Sequence, residues 1–118
     1  MATSKSASPI RLRLIFDSNR AFGPGKADLL QGIDELGSIA AAGRALSMSY
    51  KRAWQLVDDL NKSFAAPLVR ASKGGGHGGG ATLTVHGEQV LKLYRDIERK
   101  TRRSAAAEIK RLQSLAGR

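Results

Sequence analysis

Apolar Ile10, Leu12, Leu14 and Phe16 alternate with Arg11, Arg13 and Ile15, the period of two expected of a strand with one buried face. Residues 17–25 then break the alternation with Asn19, Gly23, Pro24 and Gly25, which read as turn. Ala27, Leu29, Leu30, Ile33 and Leu36 recur at helical spacing as far as Gly37, predicting a first helix that stops at a glycine. Ser38 stands as N-cap of a short second helix whose Ile39, Ala42 and Leu46 share a face. Only Ser47, Met48 and Ser49 separate it from a third stripe, Ala53, Val57, Leu60 and Phe64, which Pro67 prevents from continuing. Residues 68–72 and 81–85 are short β-prone runs on either side of Lys73 and the glycine-rich stretch 74–80, a hairpin with a long loop. From about Gly87 a long helix is marked by Val90, Tyr94 and Ile97, and extends more weakly through Ala105, Ile109, Leu112 and Leu115. The charged stretch 98–103 is expected to break it.

A short helix, a tight turn and a second helix with basic residues at its start form a helix-turn-helix, and a hairpin placed after it is a wing. The expected fold class is therefore mainly α with a small β wing: a winged helix-turn-helix with an N-terminal strand and a long C-terminal helix. The division expected is a disordered tail over 1–9, the domain over 10–97, and a basic helical extension over 98–118.

Composition narrows the partners. The 118 residues are 42% hydrophobic, which suits one domain. Twenty Lys and Arg against ten Asp and Glu give a net charge of +10, a field that favours polyanions. Charge alone does not separate DNA from RNA or an anionic membrane. With aromatics at 5% and no stacking platform, a single-strand or RNA binder is disfavoured. No cysteine is present, which excludes disulfides, a thiolate nucleophile and Cys-ligated zinc, and fits a reducing compartment. The polar opening MATSKSASP is neither a secretory signal nor an anchor, and no apolar run approaches the roughly 20 residues that span a bilayer. No membrane association and a cytoplasmic, nucleoid-associated location are expected.

On the third helix, Ala53, Val57 and Leu60 point to the core, so Lys51 and Gln55 fall on the opposite side, with Tyr50 and Arg52 flanking them near the N-terminus. Lys and Arg suit guanine O6 and N7, and Gln suits adenine N6 and N7. Asp58 and Asp59 would be repelled by phosphate, which limits the groove-facing part to the first half of the helix. Trp54 lies between core and groove and is expected to be packed. Arg70, Lys73 and the glycine loop are candidates for the DNA backbone, because glycine lets main-chain N–H groups approach phosphate closely. Arg44 on the second helix is a further phosphate candidate.

Catalytic readings fail on context. The glycine loop satisfies G-x-G-x-x-G, but a strand follows it where a nucleotide fingerprint needs a helix. His77-Gly78-Gly79-Gly80 has the form of an esterase oxyanion element, yet the chain contains no G-x-S-x-G. His77 and His86 are the only histidines and lack metal-ligand spacing. No metal, no cofactor and no enzymatic activity are expected.

The run GSIAAAGRALSMSYKRAW over 37–54 resembles the winged helix-turn-helix of LysR-type regulators and, more closely, of molybdate-responsive ModE-type regulators. Ser49-Tyr50-Lys51 with Ala53-Trp54 looks like the ModE-type recognition helix. Gly74 to Gly80 followed by Ala81-Thr82-Leu83-Thr84 looks like the glycine-rich wing, and His86-Gly87 with the helix through Tyr94 resembles the dimerisation segment. The resemblance spans residues 10–97. It implies a homodimeric, sequence-specific regulator of transcription on double-stranded DNA, with Ser49 added to Tyr50, Lys51, Arg52, Gln55, Arg44, Arg70 and Lys73 at the DNA, and Ile15, Leu93, Tyr94 and Ile97 at the subunit contact. Full-length members continue into oxyanion-binding domains. No residues here match one, so molybdate is not expected to bind this chain. A nucleoid or architectural protein with little sequence preference is the alternative.

Overall fold

A computed structural model describes residues 9–72 and 80–117; the expected N-terminal tail and most of the glycine loop, Lys73 and His77 included, lie outside the described residues. Strand β1 (Leu14–Asp17) pairs antiparallel with β2 (Arg20–Phe22), Leu14 opposite Phe22 and Ile15 opposite Ala21. The strand expected over 10–16 thus begins its ladder only at Leu14. The alternation was nonetheless physical, since Ile10, Leu12 and Leu14 are half-buried while Arg11, Arg13 and Ile15 are exposed. Phe16 departs from it and is exposed. The second strand lies inside the stretch read as turn, because three residues are too few to show a period. The Asp17 carboxylate closes the turn, accepting from Asn19 N and the Arg20 guanidinium. Those bonds, Arg20's first, hold its pKa below the usual carboxylate value.

Helix α1 (Pro24–Leu36) opens with proline in its first turn, where no intrahelical N–H is lost, and closes on Gly37 at φ 71°, whose N–H donates to Ile33 O. Ser38 Oγ caps α2 (Ile39–Ala45) by accepting from Ala41 N, and Ser49 Oγ caps α3 (Tyr50–Ser63) by accepting from Arg52 N. Strands β3 (Val69–Ser72) and β4 (Gly80–Leu83) form the antiparallel hairpin, Val69 opposite Leu83 and Ser72 opposite Gly80. Helix α4 (Val85–Ser104) starts two residues before the expected point, capped by Thr84 Oγ1, which accepts from Gly87 N and donates to Pro67 O. After Ala105 comes α5 (Ala106–Leu115).

The break expected over 98–103 is absent, and the division expected at residue 98 falls inside α4. The charges there support the helix. Asp96 pairs outward with Lys92 and Arg99, while Glu98 turns inward to accept from Arg95 Nη1 at 3.0 Å. Such i,i+3 and i,i+4 pairs favour helix continuation. The chain turns instead at Ala105.

One apolar core joins Phe22, Leu29, Leu30, Ile33, Leu60, Leu68 and Tyr94. Tyr94, expected at a subunit contact, is 2% exposed, its ring edge-on to Phe22 at 5.1 Å and its hydroxyl donating to Leu12 O at 2.6 Å. It is a core residue of the single chain, because the segment before β1 folds over its phenol. Next to it, the Arg95 guanidinium donates to Asp28 Oδ1, Gln31 Oε1 and Glu98 Oε1, tying α4 to α1. Burial opposes the Arg95 charge, but the carboxylates of Asp28 and Glu98 outweigh it and hold its pKa above the ordinary guanidinium value.

Burial, with the Glu98 charge adding to it, pushes the Tyr94 phenol up to about 12. The folded chain therefore keeps Tyr94 protonated where the unfolded chain ionises it. Stability from this residue is complete below pH 10 and falls as pH rises towards 12, at about 1.4 kcal/mol per unit of pKa difference. Tyr94→Phe should unfold at lower urea at pH 7, by about 1 kcal/mol for the lost hydrogen bond. Between pH 9 and 11 the gap between wild type and variant should shrink; a constant gap would show that the phenol does not titrate differently on folding.

Candidate nucleic-acid interface

The approach of α2 to α3 begins with a missing side chain. A Cβ built on Gly43 would lie 2.8 Å from Ala53 Cβ, so glycine and alanine at these two positions let the helices touch. Gly43 O then accepts from Met48 N at 2.8 Å, and Ser47 turns through φ 60° to bring the chain into α3. A left-handed serine is uncommon outside tight turns. Here it fits the sharp entry of a helix-turn-helix.

With Ala53, Leu56, Val57 and Leu60 buried, α3 presents Tyr50, Lys51, Arg52, Trp54, Gln55, Asp58 and Asp59 outward. The four side chains singled out on this helix, Tyr50, Lys51, Arg52 and Gln55, all lie on its exposed half. Ser49 sits directly before them with its oxygen engaged in the cap. Arg44 is exposed in the last turn of α2, and Arg70 is exposed on β3. Lys73 is outside the described residues. A shallow hollow of about 570 Å³ is lined by Tyr50, Lys51, Trp54, Gln55 and Asp58.

Trp54 corrects an expectation. It is 39% exposed, its ring edge-on to Tyr50 at 6.1 Å, and it forms an open ledge with that residue. On the side of α3 facing α2, Ala53 packs directly against Gly43. Trp54, the next residue along, is left partly open to solvent. Further along, Asp58 pairs with Lys62 at 2.8 Å and raises the Lys62 pKa, so the second half of the helix offers little net positive charge.

The sequence pattern did not assign two sets of residues to this surface. Asn61 fixes the hairpin to α3, its Oδ1 accepting from Leu68 N and Val69 N at 2.9 and 3.0 Å and its Nδ2 donating to Val69 O. An asparagine in a helical stripe gives no hint of this. Arg11, Arg13 and Lys26 line a groove with Arg52; the two arginines were legible as the polar half of an alternation, whereas Lys26 carried no signal. Of the residues assigned to a subunit contact, Ile15, Leu93 and Ile97 are exposed. Leu93 and Ile97 are one turn apart on α4. Among the described residues no group of three His, Cys, Asp or Glu could hold a metal ion, and no helix is long and apolar enough to cross a membrane.

Residues 27–88 match the family described as bacterial regulatory helix-turn-helix protein, lysR family. The chain is 46% identical over 76 residues to the molybdenum-pterin-binding protein MopB of Rhodobacter capsulatus, covering 64% of this chain and 28% of that protein. It is 36% identical over 88 residues to the molybdenum transport protein ModE of Azotobacter vinelandii, covering 75% and 33%. To the DNA-binding transcriptional dual regulator ModE of Escherichia coli K12 it is 37% identical over 71 residues, covering 60% and 27%. The matched stretch thus spans at most about a third of the length of these relatives.

Asn61→Ala would leave two backbone N–H groups at the base of the hairpin without their acceptor, at a cost of about 1–3 kcal/mol each if they stay dry. Thermal melting should fall by several degrees, and amide exchange at Leu68 and Val69 should accelerate more than at Leu29 and Leu30. Uniform acceleration would mean that Asn61 does not hold the hairpin locally.

Proposed function

Because the chain belongs to the lysR family of bacterial regulatory helix-turn-helix proteins, a DNA-binding family of transcription regulators, we propose that it reads a specific double-stranded site as a homodimer through the first half of α3. The observation that carries this reading is the division of that helix. Ala53, Leu56, Val57 and Leu60 hold it to the core, while Tyr50, Lys51, Arg52 and Gln55 stand free at the end nearest the turn. In helix-turn-helix docking that end meets the base edges. Lys51 or Arg52 would donate to guanine O6 and N7, and Gln55 would pair with adenine N6 and N7. Arg44, Arg70, Lys73 and the Ser49 hydroxyl would take phosphate, fixing the register without carrying sequence.

Exposed Ile15, Leu93 and Ile97 are assigned to the contact between two copies; Tyr94 is withdrawn from that set. The relatives' names associate them with molybdenum. The family match falls on the helix-turn-helix and hairpin, and we assign these 118 residues to DNA recognition with no molybdate response of their own.

Lys51→Ala should weaken the preferred site by about 1–3 kcal/mol while barely changing affinity for random DNA, measured by competition gel shift at roughly 150 mM salt. Equal loss on both would move Lys51 to the backbone. If random DNA competes with the upstream region as well as unlabelled upstream region does, the protein is an architectural DNA binder. Added molybdate should leave both the shift and the melting temperature unchanged; a clear rise in melting temperature would show that the chain binds it.

A further inference from the structure

Along the flank of α3 that faces α1, Arg11, Arg13, Lys26 and Arg52 line an open groove of about 560 Å³, with Asp59 its only carboxylate among the described residues. The groove gathers cations from three parts of the chain: the segment before β1, the first turn of α1, and the first turn of α3. Arg13 and Arg52 make no ion pair among the described residues. Lys26 Nζ donates to Ala21 O at 2.9 Å, which fixes the ammonium beside the groove. Like charges held together repel one another, the more so when partly shielded from water. The same molecule pairs Arg20, Lys62, Lys92, Arg95 and Arg99 with carboxylates elsewhere. Asp59, at the far end, is one carboxylate against Arg13, Lys26 and Arg52. Such a cluster leaves the groove net positive and open to an anion.

We propose that this groove is a second DNA-backbone site, taking the phosphates of the strand that runs past α3 on its α1 side. This rests on the reading of α3 as the base-reading helix. Arg52 links the two, since it belongs both to the exposed start of α3 and to the groove. The first turn of α1 adds to the site. Gly23 makes no side-chain cap, Pro24 has no N–H and Ala27 N donates to Gly23 O, so only the N–H groups of Gly25 and Lys26 in that turn are left for an acceptor. A free oxyanion has the same chemistry as a phosphodiester. The continuous polyanion is favoured because the cations spread over three segments along the groove, whereas one small ion would be caged by a few converging donors. The DNA footprint then extends past the base-reading end of α3 on its α1 side.

The test uses the full chain with Arg13→Gln and Lys26→Gln, singly and together, each checked for unchanged melting temperature. Affinity is measured on the preferred site and on random duplex as salt is raised. Removing one cation that neutralises a phosphate should flatten the slope of log affinity against log salt by about 0.9. The single variants should weaken binding several-fold on both DNAs alike, and the double variant should flatten the slope by about twice as much as either single one. Unchanged slopes overturn the groove while leaving the reading of α3 intact, since that reading is tested by Lys51→Ala. Weakening confined to the preferred site would also overturn it, because phosphate binding does not discriminate sequence. In a further arm, inorganic phosphate is titrated against wild type and the double variant. If phosphate raises the wild-type melting temperature only, while DNA slopes match, the groove takes a free anion and not DNA.

Discussion

The contact on which the rest of the structure turns is the near-absence of atoms between α2 and α3. Gly43 and Ala53 meet so closely that one extra methyl group on Gly43 would stand 2.8 Å from Ala53 Cβ. This fixes the rotation of α3 about its own axis. With Ala53 held against α2, positions 56, 57 and 60 must enter the core, and positions 50, 51, 52, 54 and 55 must leave it. The composition of the exposed face follows from a contact made on the other side of the helix. A larger residue at 43 would tilt α3, and its exposed side chains would move together.

A second constraint holds α3 from behind. Asn61 binds the first two residues of the hairpin approach, and the next helix is seated by Gly87, where a Cβ would lie 2.1 Å from Leu68 O. Thr84 caps that helix and bonds back to Pro67 O. Hairpin, α3 and the start of α4 therefore form one rigid junction of short-range polar bonds. At the other end, Tyr94 and Arg95 fasten α4 to the segment before β1 and to α1. A buried ion pair of this kind contributes less to stability than its distances suggest, because desolvation offsets the Coulomb gain. Its effect is to fix one relative placement of α1 and α4, since any slip would strand Asp28, which is 4% exposed and already has one oxygen without a partner among the described residues.

The sequence disclosed what periodicity and capping disclose. All three helices as far as the end of the helix-turn-helix, the stop at Gly37, the cap at Ser38 and the hairpin strands were legible, because each is set by local spacing or by one side chain bonding its own backbone. The open half of α3 was legible for the same reason. What escaped was set by contacts distant in sequence. Tyr94 reads as one more apolar residue on a helix face until Leu12 is seen 82 positions away. Glu98 reads as solvated charge until Arg95 and Asp28 are seen together. Trp54 reads as packed by its size, and only the structure shows it 39% exposed beside Tyr50.

The arrangement also explains how one helix can carry both charge signs without conflict. Cations and amide occupy the start of α3 at 51, 52 and 55, and carboxylates occupy 58 and 59. Were α3 to lie lengthwise in a groove, Asp58 and Asp59 would face phosphate on at least one strand, and the repulsion would work against the attraction at Lys51 and Arg52. The charge order therefore favours entry by the N-terminal end, with the helix rising away from the DNA as it runs towards Asp59. On the proposed reading, that inclination would leave space under the flank of α3 on its α1 side, where Arg11, Arg13 and Lys26 stand, and would bring those residues, and not the acidic end of the helix, towards the backbone.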